Sequence, residues 1–564
     1  MKLKFKSIAL SLLICLTAIN VSALEQVKNV SSSKLTEVYN KINDTDSIPV
    51  AIWLDNIDYE EVENQIKNKT KSLGINHMLY SDSFVNELSV NNIKSIPHNV
   101  MKEYKSIRTS TYRRIISKSN SDFVDSNLKD SKIIFSSKLV PLVIANVNKN
   151  CLEQLLSKND IKKMDLFVNK KGYSSSDISL PTQGFNPNTV RTGVFSGVSV
   201  GVLEAEGYAN ESTVISFIGS MAFYNASSRE AAQNVSDHAT VVCSQIAQIV
   251  PDANLVQCYA PDSETYMEGA EGLIQYDCDV INSSMFFPSS GDLLDGTAEC
   301  DGTYQLEDEF IDYLSYTYKT IFVTAAGNIK ANEIEGSEFI HTPALAYNGI
   351  TVGAFDDKNT LYRTDDTIYE YSSYGFHPSL AQKPDIYASG VNIDIVGFRN
   401  TGTSFAAPYV TAAVALILQD YPGYASAPPL LKSILISSAK TVQGLHFLDV
   451  PDLNSKVICV AGIGDRSGKY YLINVNNSDI NKKMKLAFSW ERSTTYNDNP
   501  TLVNYNIKVT DPDGNIVARS NSLTNNSEVV EFLTTIEGRY RVDISRTGSF
   551  TPDPTYGMSA FYID

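Results

Sequence analysis

Between residues 190 and 441 short apolar runs alternate with segments of helical spacing. Residues 198–203, 254–259, 279–282, 320–325 and 350–354 are strand-like, and several are apolar on both faces. A strand apolar on both sides is covered on both, so the pattern predicts a parallel sheet between two layers of helices. The apolar run 409–418 reads as a buried helix, and a further helix is expected at 430–441. Past that point helical periodicity disappears. Residues 470–475, 484–490, 505–510, 529–534 and 540–544 are short strands separated by turns such as Asp511-Pro512-Asp513-Gly514-Asn515, which predicts an all-β sandwich or jelly roll. The region ahead of 172 is different again. A strand at 48–54, a helical pattern at 59–73, a Lys/Arg-rich helical stretch at 84–118, a strand at 139–147, a helix at 151–156 and a strand near 164–168 make a separate α+β unit.

Length agrees with this division, since 564 residues exceed one ordinary core. The start reads as a secretory signal over residues 1–23. Lys2, Lys4 and Lys6 precede an apolar stretch at 8–19, and Val21-Ser22-Ala23 forms a small-residue cleavage site. That apolar stretch is short for a membrane span and no later one approaches the ~20 residues a span needs. The expected location is therefore extracellular, with no membrane span. Domain boundaries follow: signal 1–23, an N-terminal unit 24–171, an α/β domain 172–450 and a β-sandwich 451–564. The segment Lys170-Lys171-Gly172-Tyr173-Ser174-Ser175-Ser176 reads as an exposed linker open to proteolysis.

Charge separates the parts. Residues 24–171 carry a net +4 (22 basic, 18 acidic) and residues 172–564 a net −24 (22 basic, 46 acidic). A mildly basic segment ahead of an acidic body suits an intramolecular partner, and solvated surfaces would account for it equally well. The acidity argues against nucleic acid as a partner. Cys243, Cys258, Cys278, Cys300 and Cys459 in the larger part form no C-x-x-C pair or Cys/His cluster that would suggest a metal, and Cys243 fits as a small buried residue. No disulfide is assigned.

The candidate chemistry centres on Gly402-Thr403-Ser404-Phe405-Ala406-Ala407-Pro408, at the head of the 409–418 helix. A serine at a helix amino end sits among unpaired N–H groups that favour a developing anion, so Ser404 is placed to attack a carbonyl. Upstream, His238-Ala239-Thr240-Val241-Val242-Cys243 opens a helical stretch, and Thr324-Ala325-Ala326-Gly327-Asn328 closes a strand. In this order the strings resemble the nucleophile, histidine and oxyanion motifs of the subtilisin-like serine peptidases (subtilases). Thr351-Val352-Gly353-Ala354, Ser372-Ser373-Tyr374-Gly375 and Lys383-Pro384-Asp385-Ile386 resemble the family's connecting motifs, and the set covers about 240 residues. Residues 24–171 resemble the ferredoxin-like propeptides of that family in pattern, and the C-terminal strands resemble the sandwich that follows some of its bacterial catalytic domains.

The resemblance implies a subtilisin-like α/β fold and a secreted zymogen acting as an endopeptidase on peptides or proteins, with its own propeptide as intramolecular partner. It implies His238 as base, Ser404 as nucleophile and Asn328 as oxyanion donor. The acid departs from the pattern. The strand 198–203 leads into Glu204 where the family has aspartate, so Glu204 is expected to orient His238, with Glu206 as second choice. Two further departures are Ala239 and Val241 in the histidine motif. Ser284, Met285 and Phe286 align with the substrate-pairing segment, where Phe286 replaces a glycine and crowds the peptide side. Catalysis needs no cofactor or metal; calcium often supports such folds, but no loop here is singled out for it. A second reading stays open from these departures: a catalytically silent subtilase-fold protein with a binding or regulatory role.

Overall fold

In a computed structural model the described residues are 33–43, 46–75, 95–172, 177–178, 197–218, 221–225, 235–288, 302–328, 339–358, 360, 365–375, 382–449, 453, 456–463, 468–492, 504–547 and 554–563. The expected signal at 1–23 lies outside them, as do Cys300 and residues 173–176 of the expected linker. Contacts group the chain into two units, Met1–Gln65 with Ser110–Asn169, and Ile66–Thr109 with Lys170–Asp564. Among the described residues no helix is long and apolar enough to cross a membrane.

The first unit is built on four antiparallel strands in the order Lys132–Ser136, Leu142–Asn148, Ser47–Leu54, Ile161–Leu166. With helices Tyr59–Lys69 and Lys149–Leu156 in the connections, the chain order is the βαββαβ of ferredoxin-like folds. Alternation sets its core. Val50, Ile52 and Leu54 share a face with Val143, Ala145 and Val147, and Leu152 and Leu155 pack against them. The strand expected at 139–147 starts only at Leu142, because Ser137 Oγ accepts the N–H groups of Leu139 and Val140 and turns the chain there. The Lys/Arg-rich helix runs His98–Asn127, directly after Pro97, which suits a helix start.

The second unit holds a largely parallel sheet in the order Lys440–Val442, Leu445–Phe447, Ile386–Ser389, Ile350–Asp356, Ile321–Ala325, Val280–Ser283, Ser199–Glu204, Asn254–Tyr259, Met221–Asn225. Ser199–Glu204, Val280–Ser283 and Ile321–Ala325 are buried at every position, as continuous apolar runs in a covered sheet require. Around Ser199–Glu204 the chain reverses the direction in which it adds strands, and such a reversal opens a crevice at the carboxyl ends. The helix expected at 430–441 runs Pro428–Ser438 and gives way to the edge strand Lys440–Val442.

The C-terminal residues form two four-stranded antiparallel sheets: Lys456–Ile463, Thr555–Ile563, Lys483–Trp490 and Ser527–Leu533, facing Lys469–Val475, Gly538–Thr547, Asn504–Thr510 and Ile516–Ser520. Phe488, Trp490, Tyr505 and Tyr556 form an aromatic cluster, Phe488 stacked on Tyr556 and both Phe488 and Trp490 edge-to-face with Tyr505. This sandwich is seated on helix Pro428–Ser438. A Cβ at Gly557 would lie 2.2 Å from Leu430 Cα, and Ser559 Oγ meets Ser437 Oγ at 2.7 Å and Ser433 Oγ at 3.1 Å. Buried ions tie residues 491 and 492, just past strand Lys483–Trp490, to the α/β part. Lys319 Nζ meets Glu491 Oε2 at 2.7 Å, while the Arg492 guanidinium lies 4.7 Å from the ring centres of both Tyr304 and Tyr347.

One expectation is corrected here. In the described part of the linker, Lys170 is buried and pairs with Glu307 at 2.9 Å, and Gly172 is buried with its N–H on Pro261 O at 2.7 Å. Lys170 and Gly172 are docked rather than exposed, the lysine drawn in by a buried carboxylate, while Lys171 between them is exposed. A Cβ at Gly172 would meet the Met285 side chain at 2.7 Å and Ala205 Cβ at 3.2 Å.

Candidate active site

Three elements bring the chemistry together at the carboxyl ends of the sheet. The strand Ser199–Glu204 ends on Glu204, which is fully buried. Ser236 caps the helix Asp237–Ile249 by accepting the Ala239 N–H, and this puts His238 in the first turn. Ala239 and Val241, the two departures in the histidine motif, are fully buried in that helix. His238 Nδ1 meets Glu204 Oε2 at 2.9 Å. Glu206, the second choice for the acid, is exposed and accepts from Ser236 Oγ at 3.5 Å.

Ser404 stands in the first turn of Thr403–Asp420, where the leading N–H groups lack intrahelical partners. Its Oγ donates to Ser284 O at 3.3 Å, and Ser284 Oγ returns a bond to Ser404 O at 2.8 Å. The His238 ring packs on Phe405 with centroids 5.2 Å apart, while its Nε2 is buried and has no hydrogen-bond partner among the described residues. Asn328 is fixed by Thr403, whose N–H and Oγ1 bond the amide oxygen at 2.9 and 3.2 Å, so the amide N–H₂ is turned away from the Thr403 backbone. Gly327 has φ of +106°, open to glycine at little cost, and a Cβ there would lie 2.8 Å from the His341 ring.

Burial pushes the Glu204 carboxyl above its ordinary range, against the pull of His238. Burial also disfavours a charged His238, but the charge and hydrogen bond of Glu204 outweigh it and hold the imidazole above its ordinary value. Glu204 thus makes the neutral His238 a stronger base, better able to take a proton from a serine.

The remaining substrate candidates are placed differently. Ser284 and Met285 are buried, with the Ser284 hydroxyl committed to Ser404 O, whereas Phe286 is half-buried and meets His341 edge-to-face at 4.4 Å. Sequence reasoning missed the residues that hold the site together. Thr411 Oγ1 and Ser284 Oγ both bond Asn282, at 2.9 Å each, and Gln245 Nε2 donates to Phe405 O at 2.9 Å, locking the histidine and serine helices. Polar residues within otherwise apolar strands and helices were the available signal. No group of three or more His, Cys, Asp or Glu side chains among the described residues is arranged to hold a metal ion.

Comparison with known proteins agrees with this architecture. Residues 196–450 match the subtilase family, peptidase S8. The serine protease AprX of Bacillus subtilis (strain 168) is 31% identical over 199 residues, 30% of this chain and 43% of AprX. The PII-type proteinase of Lacticaseibacillus paracasei is 32% identical over 108 residues, 17% of this chain and 6% of that protein. The chain thus spans less than half the length of these relatives. Among solved structures, the epidermin leader peptide processing serine protease of Staphylococcus aureus has a TM-score of 0.45 at 15% identity, covering 72% of this chain and 98% of that one. Residues 196–450 are thus a subtilase-family domain, with the subtilisin-like α/β fold of that family of serine peptidases.

Proposed function

We propose that the chain is a secreted subtilisin-like serine endopeptidase that cleaves peptide bonds through an acyl-enzyme, with Glu204 in the place of the usual aspartate. The observation that carries the reading is the buried 2.9 Å bond between Glu204 and His238 Nδ1, which leaves the opposite ring nitrogen for a serine proton. His238 Nε2 takes the Ser404 proton as Oγ swings from Ser284 O to the substrate carbonyl. The oxyanion is met by the Asn328 N–H₂ and the Ser404 N–H, donors that do their work in the tetrahedral state. His238, now protonated and held by Glu204, passes its proton to the leaving amine. Water then repeats the sequence on the acyl-enzyme. The longer arm of glutamate is compatible with this role because the strand end delivers its carboxylate to bonding distance.

Residues 1–23 are proposed as a signal and 24–171 as a propeptide, with the catalytic domain over 172–450 and the sandwich over 451–564. Maturation is proposed to cut beyond the docked Gly172, which lies against Met285 and Ala205 near the site. A catalytically silent protein is the second reading, favoured by Ser404 Oγ donating to Ser284 O rather than to His238. Labelling with a serine-directed fluorophosphonate separates the two. Covalent labelling of the parent that disappears in Ser404→Ala supports the peptidase, and an unlabelled parent overturns it.

A further inference from the structure

The position of His238 divides the site into two sides. Because it protonates the leaving amine, the leaving half of the peptide lies on its side of Ser404. The acyl half extends the other way, between the segments that follow strands Val280–Ser283 and Ile321–Ala325. Those strands pair side by side up to Ser283 and Thr324. Beyond them lie Ser284–Phe287 on one side and Ala326–Asn328 on the other; since Ser284 O meets Ser404 Oγ and Asn328 is the proposed oxyanion donor, the side chain of the residue whose carbonyl is attacked is directed between these two segments.

The gap is already spanned. His341 N donates to Ala326 O at 3.2 Å and Phe287 N donates to Thr342 O at 2.9 Å, so residues 341–342 bridge the two segments. The His341 ring is buried, lies against Gly327 on one side and meets the Phe286 ring edge-to-face at 4.4 Å on the other. The bridge is braced from behind, since Thr342 Oγ1 and Leu345 N both bond the buried Asp308 carboxylate, at 2.6 and 2.9 Å. Two aromatic rings in contact, one of them on a braced segment, stand where a side chain beside the attacked carbonyl would enter, so a hydrogen or a methyl group asks for the least displacement. A leucine or phenylalanine side chain would have to displace packed rings, which close-packed interiors resist.

We infer that Phe286 and His341 are specificity-determining residues that restrict the residue contributing the scissile carbonyl to glycine, alanine or another of that size. The inference rests on the peptidase reading. The test uses the full chain and quenched fluorogenic peptides that differ at that one residue (Gly, Ala, Leu, Phe), with fluorophosphonate titration counting competent active sites. The expected result is kcat/KM for Gly and Ala about 100-fold above that for Leu and Phe, within the range by which pockets discriminate on size. His341→Ala and Phe286→Ala should each narrow that ratio about tenfold or more, chiefly by raising the rates on Leu and Phe.

A parent that labels but cleaves Leu or Phe peptides as well as Ala peptides overturns the inference and leaves the peptidase reading standing. So does an unchanged ratio in both variants when they label like the parent. If the variants misfold and do not label, the parent's own ratio decides. A parent that neither labels nor cleaves overturns the peptidase reading, and this inference with it.

Discussion

Glu204→Gln changes one oxygen of the site to nitrogen and removes one charge while keeping the side chain's shape. In the parent, Glu204 Oε2 accepts from His238 Nδ1 at 2.9 Å inside a buried pair. For unit charges about 4 Å apart at an effective dielectric near 20, the lost attraction is about 4 kcal/mol. The amide can also donate to Nδ1, which fixes the imidazole with its proton on Nε2, the wrong tautomer for a base. Together these should lower kcat by about 10⁴, or ~5.5 kcal/mol, as expected when a triad carboxylate becomes an amide.

The pH profile gives an independent readout. Rate rises with pH as His238 loses its proton, and the Glu204 anion holds that pKa above the ordinary value of 6.5. The acid limb of kcat/KM in the parent should therefore lie above 6.5, and it should move to lower pH in the variant. Glu204→Asp shortens the arm by one methylene, about 1.5 Å, and stretches the bond beyond reach; a loss of about 10²–10³ is expected. The assay is peptide hydrolysis from about pH 5 to 9, normalised to fluorophosphonate-titrated or folded protein. A Glu204→Gln rate within threefold of the parent, or a limb that stays in place, would refute the reasoning. A large loss in Glu206→Gln instead would transfer the role to that residue.

Ser404→Ala should abolish both fluorophosphonate labelling and peptide cleavage, and when expressed in a protease-deficient host it should remain a precursor; normal processing there would mean that the cut is made by another enzyme. Asn328→Ala should keep Ser404 reactive toward small reagents but lower kcat on peptides by about 10²–10³ through loss of one oxyanion donor, and a steady-state assay showing a change confined to KM would contradict that. Glu491→Ala strands Lys319 in a buried site and should cost about 3–5 kcal/mol of stability; denaturant unfolding followed by tryptophan fluorescence measures it, and a midpoint equal to the parent's would show that the pair is dispensable.

The parallel sheet was legible because its strands are buried on both faces. Strand Asn254–Tyr259 begins and ends where its apolar run does, and Glu204 is visible as the first carboxylate after such a run. His238, Asn328 and Ser404 were singled out because their strings resemble the subtilase motifs in the same order, His238 opening a helix, Asn328 following a strand and Ser404 heading a helix. Strand Thr555–Ile563 escaped notice. Gly557 and Ser559 face a helix rather than solvent, so the polar–apolar alternation that marks a half-buried strand is missing. His341 escaped for another reason. Its place beside Gly327 and Phe286 is set by hydrogen bonds across sequence separations that no local pattern records. The docking of Lys170 was equally hidden, because its partner Glu307 stands 137 residues away, in helix Leu306–Tyr318.

The seam between helix Pro428–Ser438 and strand Thr555–Ile563 is made largely from the absence of side-chain bulk, with Gly557 against Leu430 and three serines in mutual contact. Such a seam makes the C-terminal module non-transferable. Truncation near residue 450 would bare the back of a helix that is also tied to the α/β part through Lys432, paired with Asp385 at 2.7 Å, and a sandwich borrowed from elsewhere would need glycine and serine at the same depths. Positions 433, 437, 557 and 559 are therefore a single inherited constraint on size. An insertion of even one methyl group at Gly557 has to be answered by a backbone shift in the helix opposite.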